Sequence, residues 1–255
     1  MRIVILLTLG LALLALPACA ALRRASTPTI ASGGSLVSIP AGWFWMGADD
    51  DRRSNQPRHH VYLDAYAIQL TEVTRRDYDL FLSASGYQPA GWQPTDLEQS
   101  GDLPVVGVLW KEANTYCHWL GLRLPSEAEW EKAARGEDGR RYPWGDTWDP
   151  GLANTAESQL GAVLPVGSFP QGASPYGILD LCGNAAEWVA DGFDPDYYLA
   201  APLLNPDGPT LILDHVLRGG SFASPPEQAT TYFRDSSHSA QPNPRLGFRC
   251  ARSTK

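Results

Sequence analysis

The chain has 255 residues, 44% of them hydrophobic, and a formal net charge of -8 with acids and bases interspersed. That length supports one substantial core with extensions rather than two cores, and the charge balance supplies no electrostatic footprint for nucleic acid or anionic lipid. The 24 glycines, 21 prolines and nine tryptophans predict a loop-rich fold whose long connections are pinned by aromatic side chains.

MRIVILLTLGLALLALPACA has one positive charge at Arg2, an apolar run from Ile3 to Ala15, and then small residues. This is the order of a secretory signal, and the run is too short for an ordinary membrane span. LPAC, Leu16 to Cys19, also resembles a bacterial lipobox, although Pro17 is unusual in one. Two outcomes stay open: acylation at Cys19, which is preferred, and simple cleavage near Ala20 or Ala21. Acylation would provide a stable membrane anchor, because several acyl chains act together. Residues 1–19 are therefore read as a signal peptide with a lipobox, residues 20–35 as a polar tether rich in Ser, Thr, Pro and Gly, and residues 36–255 as the folded unit. An exported protein facing the periplasm or the cell exterior is expected.

SLVSIPAGWFWMGADDD alternates apolar residues at Val37, Ile39, Phe44 and Met46 and stops at an acidic turn, which predicts an edge strand interrupted at Pro40. HVYLDAYAIQLTEVT continues as one or two strands. Thr74 is the expected N-cap of a helix to about Ala84, with Tyr78, Phe81 and Leu82 as its apolar face. A second helix is expected from about Trp110 to Leu120. In LPSEAEWEKAARG, Ser126 and Glu129 form a capping box and Gly136 closes the helix. Beyond Tyr142 turns and short strands are expected. His59 and His60 are adjacent, so in a strand they face opposite sides and do not chelate one ion together.

IPAGWFWMG, IQLTEVT, LRLPSEAEWEKAARG, YPWGD, YGILDLCGNAAEW, VLRGGSF and RLGFRCAR follow in this order. Together they resemble the formylglycine-generating enzyme family, the sulfatase-modifying factor domain, across nearly all of residues 36 to 252. The resemblance implies an α+β fold, a C-type lectin-like variant with little regular secondary structure. Cys117 and Cys250 fall where the family's vertebrate enzyme has a structural cystine. The pair is read as a disulfide, the alternative being two buried thiols. Cys182 is left over and is read as a buried, inert thiol.

Catalytic members of the family hold copper with two cysteines in the loop after GGS, because a soft Cu(I) centre needs thiolate ligands. RGGSF sets the register, and those two positions fall on Ser224 and Ala229. Neither side chain holds Cu(I), so copper is not expected and formylglycine formation is disfavoured. Ser224 as a nucleophile with His238 or His215 and Asp235 is also disfavoured, since no nucleophile-elbow pattern surrounds it. The loop is read as the rim of a ligand groove at Arg218, Gly220, Ser221, Ser224 and Arg249, with its glycines leaving N–H groups for a peptide or carboxylate. Arg234, Arg245 and Arg249 are positively charged candidates for that surface, with structural ion pairing as the preferred role of each.

Calcium takes six to eight oxygens from carboxylates and carbonyls. On residues alone, DLCGNAAE is a turn with surface acids. The resemblance places calcium ligands on Asp180, Gly183, Ala185 and Glu187. It places a weaker second set on Asn154 and Thr155, where the following segment lacks the expected aspartate. The preferred function is a non-catalytic binding or scaffold module at the cell envelope, with a peptide, glycan or envelope protein as partner. The alternative is an oxidoreductase with altered chemistry that matures an exported metabolite or protein.

Overall fold

A computed structural model describes residues 34–50, 52–90, 96–209 and 213–254. The signal segment, Cys19 and the tether through residue 33 lie outside the described residues. The first strand signal resolves into β1 (Leu36–Ile39) and β2 (Gly42–Met46). Pro40 separates them because it has no N–H to give a ladder. β3 (His59–Leu63) pairs with β2 as an antiparallel hairpin, and β4 (Tyr66–Gln69) with β1.

The helix α1 (Arg75–Ser85) starts where the Thr74 hydroxyl accepts the Asp77 N–H and ends at Gly86 in the left-handed region. A short helix, α2 (Leu97–Ser100), has no counterpart in the sequence reading. In α3 (Trp110–Trp119) the Glu112 carboxylate accepts the Leu109 N–H at 2.9 Å. In α4 (Glu127–Arg135) the expected capping box is present: the Glu129 N–H reaches the Ser126 hydroxyl at 3.2 Å, and the Ser126 N–H reaches the Glu129 carboxylate at 2.8 Å.

The remaining strands are β5 (Ala186–Gly192), β6 (Asp214–Arg218), β7 (Asp235–His238), β8 (Leu246–Phe248) and β9 (Ala251–Ser253). β9 joins β4, so both ends of the domain meet in one sheet of order β1-β4-β9. A four-stranded sheet has the order β7-β6-β5-β8, with β8 parallel to β5 and the other pairs antiparallel.

Two large apolar clusters occupy the interior of the described residues. One gathers Phe44, Val61, Ile68, Trp130 and Val189; the other gathers Tyr78, Phe81, Tyr116, Trp188 and Phe248 around Cys117 and Cys250. These two cysteines form a disulfide with Cα atoms 5.6 Å apart. Cys250 lies in the link just before β9 rather than in the last strand itself. A loop of this length caps the stabilisation near about 5 kcal/mol in the chain-entropy model.

The helix α4 sits between these sheets, against β2, β3, β5 and β6, and every one of its residues is buried. Its charges are therefore interior charges. Lys132 donates to the Pro40 and Gly42 carbonyls at 2.8 and 3.0 Å, and Arg135 to the Trp45 and Gly47 carbonyls at 3.1 and 2.9 Å. Together they tie α4 to carbonyls of the β2 segment.

Candidate functional site

The loop after β6 and the exposed part of the four-stranded sheet enclose a groove of about 210 Å³. Its floor is apolar: Ala186, Leu217, Leu246 and Phe233. One wall is the loop, with Gly220, Ser221, Ala223, Ser224 and Gln228. The other holds Asp235, Ser236 and Ser237 of β7 together with Asn243 and Arg245. A patch of hydroxyls and amides over an apolar floor suits a small ligand that hydrogen-bonds along its edges. The Arg245 side chain is exposed and makes no ion pair among the described residues.

The loop is held shut on itself. Gly220 has φ of 67°, and a Cβ there would lie 2.7 Å from the Gln228 carbonyl oxygen, so only glycine allows this approach. The Ser221 N–H donates to Ser224 Oγ at 3.0 Å, and the Ala223 N–H to Ser221 Oγ at 3.3 Å. The expectation of free loop N–H groups is corrected at these two positions, because the loop's own hydroxyls take them. Among the described residues the Ser224 hydroxyl bonds only to Ser221, its carbonyl accepts the Ala156 N–H, and neither His215 nor His238 lines the groove. His215 instead stacks on Trp110 at 4.0 Å.

Ala229 is fully buried in a third cluster with Tyr142, Ala153 and Cys182. Cys182 is the free cysteine among the described residues, and burial pushes its thiol pKa well up. It lies behind the loop and does not line the groove.

Arg218 and Arg249 do not face the groove, which corrects their expected role. Arg218 is 1% exposed and bonds Glu131 at 2.6 Å and Glu127 at 3.3 Å. Arg234 joins the same network through Glu127 at 2.7 Å, and Arg135 joins through Glu131 at 2.7 Å. Arg249 is fully buried and grips Glu187 with two bonds of 2.7 Å, while donating to the Gln69, Leu70 and Leu179 carbonyls. Desolvation drives these pairings, since a buried guanidinium needs a carboxylate and several acceptors.

The implied calcium ligands do not fit as arranged. Both Glu187 oxygens are taken by Arg249, and one also accepts the Trp130 indole N–H at 2.8 Å. Asp180 accepts the Gly167 N–H at 2.6 Å. Calcium wants carboxylates not already neutralised by a guanidinium. Gly183, beside them, packs so close that a Cβ would sit 2.1 Å from the Asn154 carbonyl oxygen.

The weaker set is committed as well. Asn154 bonds Ala162 and Asn184 through its amide and Ser158 through its oxygen, and the Thr155 carbonyl accepts Ser158. Among the described residues, no group of three or more His, Cys, Asp or Glu converges in a way that could hold a metal ion.

Sequence reasoning missed Glu72, which lies inside the IQLTEVT block but was given no role. It is fully buried; one oxygen accepts from Asn184 at 3.0 Å and the other, Oε2, has no donor among the described residues. Burial raises its pKa well above 4.5, and the charges of Asp180 and Glu187 raise it further, while Arg249 pulls it down.

Fold and groove define an α+β domain of the C-type lectin-like variant type, with Ser224 in a surface groove and Ala229 buried behind it. Residues 23–254 match the Sulfatase-modifying factor enzyme 1-like domain, and the chain belongs to this family. It is 39% identical to the formylglycine-generating enzyme of Streptomyces coelicolor, covering 84% of this chain and 88% of that protein. It is 33% identical to the serine/threonine-protein kinase pkn1 of Chlamydia caviae over 86% of this chain; the match spans 38% of that longer protein. The solved structure of PvdO from Pseudomonas aeruginosa superposes with a TM-score of 0.76 at 29% identity, covering 87% of this chain and 95% of that one.

Proposed function

We propose that the chain is an exported, lipid-anchored binding module of this family that works without catalysis at the cell envelope. The observation that carries this reading is the chemistry of the loop. Ser224 and Ala229 stand at the positions that correspond to the family's copper thiols, and Ser224 Oγ is used to hold the loop. The free thiol among the described residues, Cys182, is sealed in an apolar cluster and strongly disfavoured as a thiolate. Cu(I) has no soft ligand pair there.

What remains is recognition. The groove receives a peptide, a glycan or a segment of an envelope protein, and Arg245 favours a ligand with a carboxylate or other anionic group near the Asn243 side. Export and anchoring rest on the apolar run from Ile3 to Ala15 and on Cys19. Affinity capture from the native envelope tests the groove, comparing the wild-type protein with a Gln228→Trp/Arg245→Glu variant that fills the cavity and reverses its cation. A partner retained by the first and lost by the second is expected. Identical capture profiles would refute groove recognition.

A further inference from the structure

The hairpin β2–β3 carries an aromatic column on its outer face. In its register Trp43 faces Tyr62 and Trp45 faces His60. His60 lies stacked between the two indoles, with ring centroids 5.2 Å from Trp43 and 4.5 Å from Trp45. Tyr62 meets Trp43 at 5.5 Å, and the Arg58 guanidinium caps Trp45 at 4.6 Å. The alternate residues Phe44, Met46, Val61 and Leu63 point into the core. Leu204, 60% exposed, pairs in parallel with Tyr62 and widens the face. Trp43 and Trp45 remain 43% and 38% exposed, an amount of uncovered indole that marks a contact surface.

Four observations say what covers it. First, the indole N–H groups of Trp110, Trp130, Trp144, Trp148 and Trp188 all donate inside the protein. Those of Trp43 and Trp45, and the Tyr62 hydroxyl, have no acceptor among the described residues. Apolar rings with free polar tips are the side chains that settle at a bilayer interface. Second, Trp45 is stacked on by His60 and capped by Arg58, and Trp43 is stacked on by His60, which leaves a sugar ring less open aromatic face to stack on. Third, only 23 residues of sequence separate Cys19 from Trp43. A chain held at Cys19 keeps this face close to the membrane. Fourth, Arg58 forms no ion pair among the described residues, so it is free for a lipid phosphate.

We propose that Trp43, Trp45, His60, Tyr62 and Leu204 form a membrane-contact face that seats the domain on the bilayer; the proposal rests on the anchored reading above. The net charge of -8 excludes attraction to anionic lipid as its driving force, so aromatic burial has to supply it and zwitterionic lipid suffices.

The test uses the full chain mixed with phosphatidylcholine vesicles whose acyl chains are brominated near the headgroup. Wild-type tryptophan emission should be partly quenched, and Trp43→Phe/Trp45→Phe should lose the quenched component while melting at nearly the same temperature. In the Cys19→Ala protein cleaved after Ala20, where neither acyl chains nor the apolar run Ile3–Ala15 remain, each Trp→Ser change should weaken vesicle partitioning about fivefold. Flotation reports the anchor separately. Protein that floats with bromine-insensitive emission overturns the contact face and leaves the anchor standing. A cleaved Cys19→Ala chain that is still quenched at high lipid supports the face, whatever the anchor does.

Discussion

Replacing Arg249 by methionine isolates the distinction between a structural and a ligand-binding arginine. The guanidinium is fully buried, holds both Glu187 oxygens at 2.7 Å, and donates to three carbonyls. Methionine fills much of the volume but strands Glu187 with the Trp130 N–H and two neighbouring acids, Asp180 and Glu72. Breaking one side of a buried pair costs about 3–5 kcal/mol, which for a domain of this size lowers Tm by about 6–20 °C. The loss should shrink as pH falls, since protonating the stranded carboxylates removes the uncompensated charge. Adding Glu187→Leu should recover a large part of the stability, because an apolar pair replaces a buried ion pair at little cost. Thermal melts followed by near-ultraviolet circular dichroism at pH 5 and pH 8 read all three effects. An Arg249→Met protein within about 1 kcal/mol of wild type would refute the structural assignment.

Three further outcomes follow from the same interior. Removing the Cys117–Cys250 bridge by a double Ala substitution should cost about 2–5 kcal/mol in urea unfolding; an unchanged midpoint would show that the bridge does not form. Glu72 and Asp191 are both buried with pKa values raised above 4.5 and 3.8, so the folded state binds more protons than the unfolded state once pH exceeds those values. Their contribution is therefore fully present below about pH 4 and is lost as pH rises through the folded values; Glu72→Gln should flatten that fall, and an identical pH–stability curve would contradict it. Calcium at 1 mM, against chelator, should leave Tm unchanged while Glu187 stays with Arg249. A gain near about 2.7 kcal/mol, the value for a ligand at 100 times its Kd, would mean that the ion displaces the arginine.

The local features were legible in the sequence. Thr74, Ser126, Glu129 and Gly136 start and stop helices through neighbours within four residues, so their patterns carry the answer. Gly220, Ser221 and Ser224 were placed by the RGGS register, and they line the groove. The burial of α4 was not legible. EAEWEKAAR has the composition of a solvated helix, and the arginines that neutralise it, Arg218 and Arg234, lie 87 and 107 residues away from the glutamates they bind. For the same reason Arg218 and Arg249 read as groove residues: a lone arginine near glycines does not announce its partner. The far wall of the groove comes from β7 and Asn243, which no motif marks, and from Arg245, which opens the RLGFRCAR block. The aromatic column needed the β2–β3 register, since only pairing places His60 between Trp43 and Trp45.

Mass spectrometry of a Cys-x-Pro-x-Arg peptide incubated with the protein, copper and oxygen tests the central claim most directly. The account predicts that the peptide cysteine keeps its mass except for background oxidation equal to a protein-free control. Turnover to the formylglycine aldehyde would contradict it, and loss of that turnover in a Cys182→Ala variant would locate the thiol responsible.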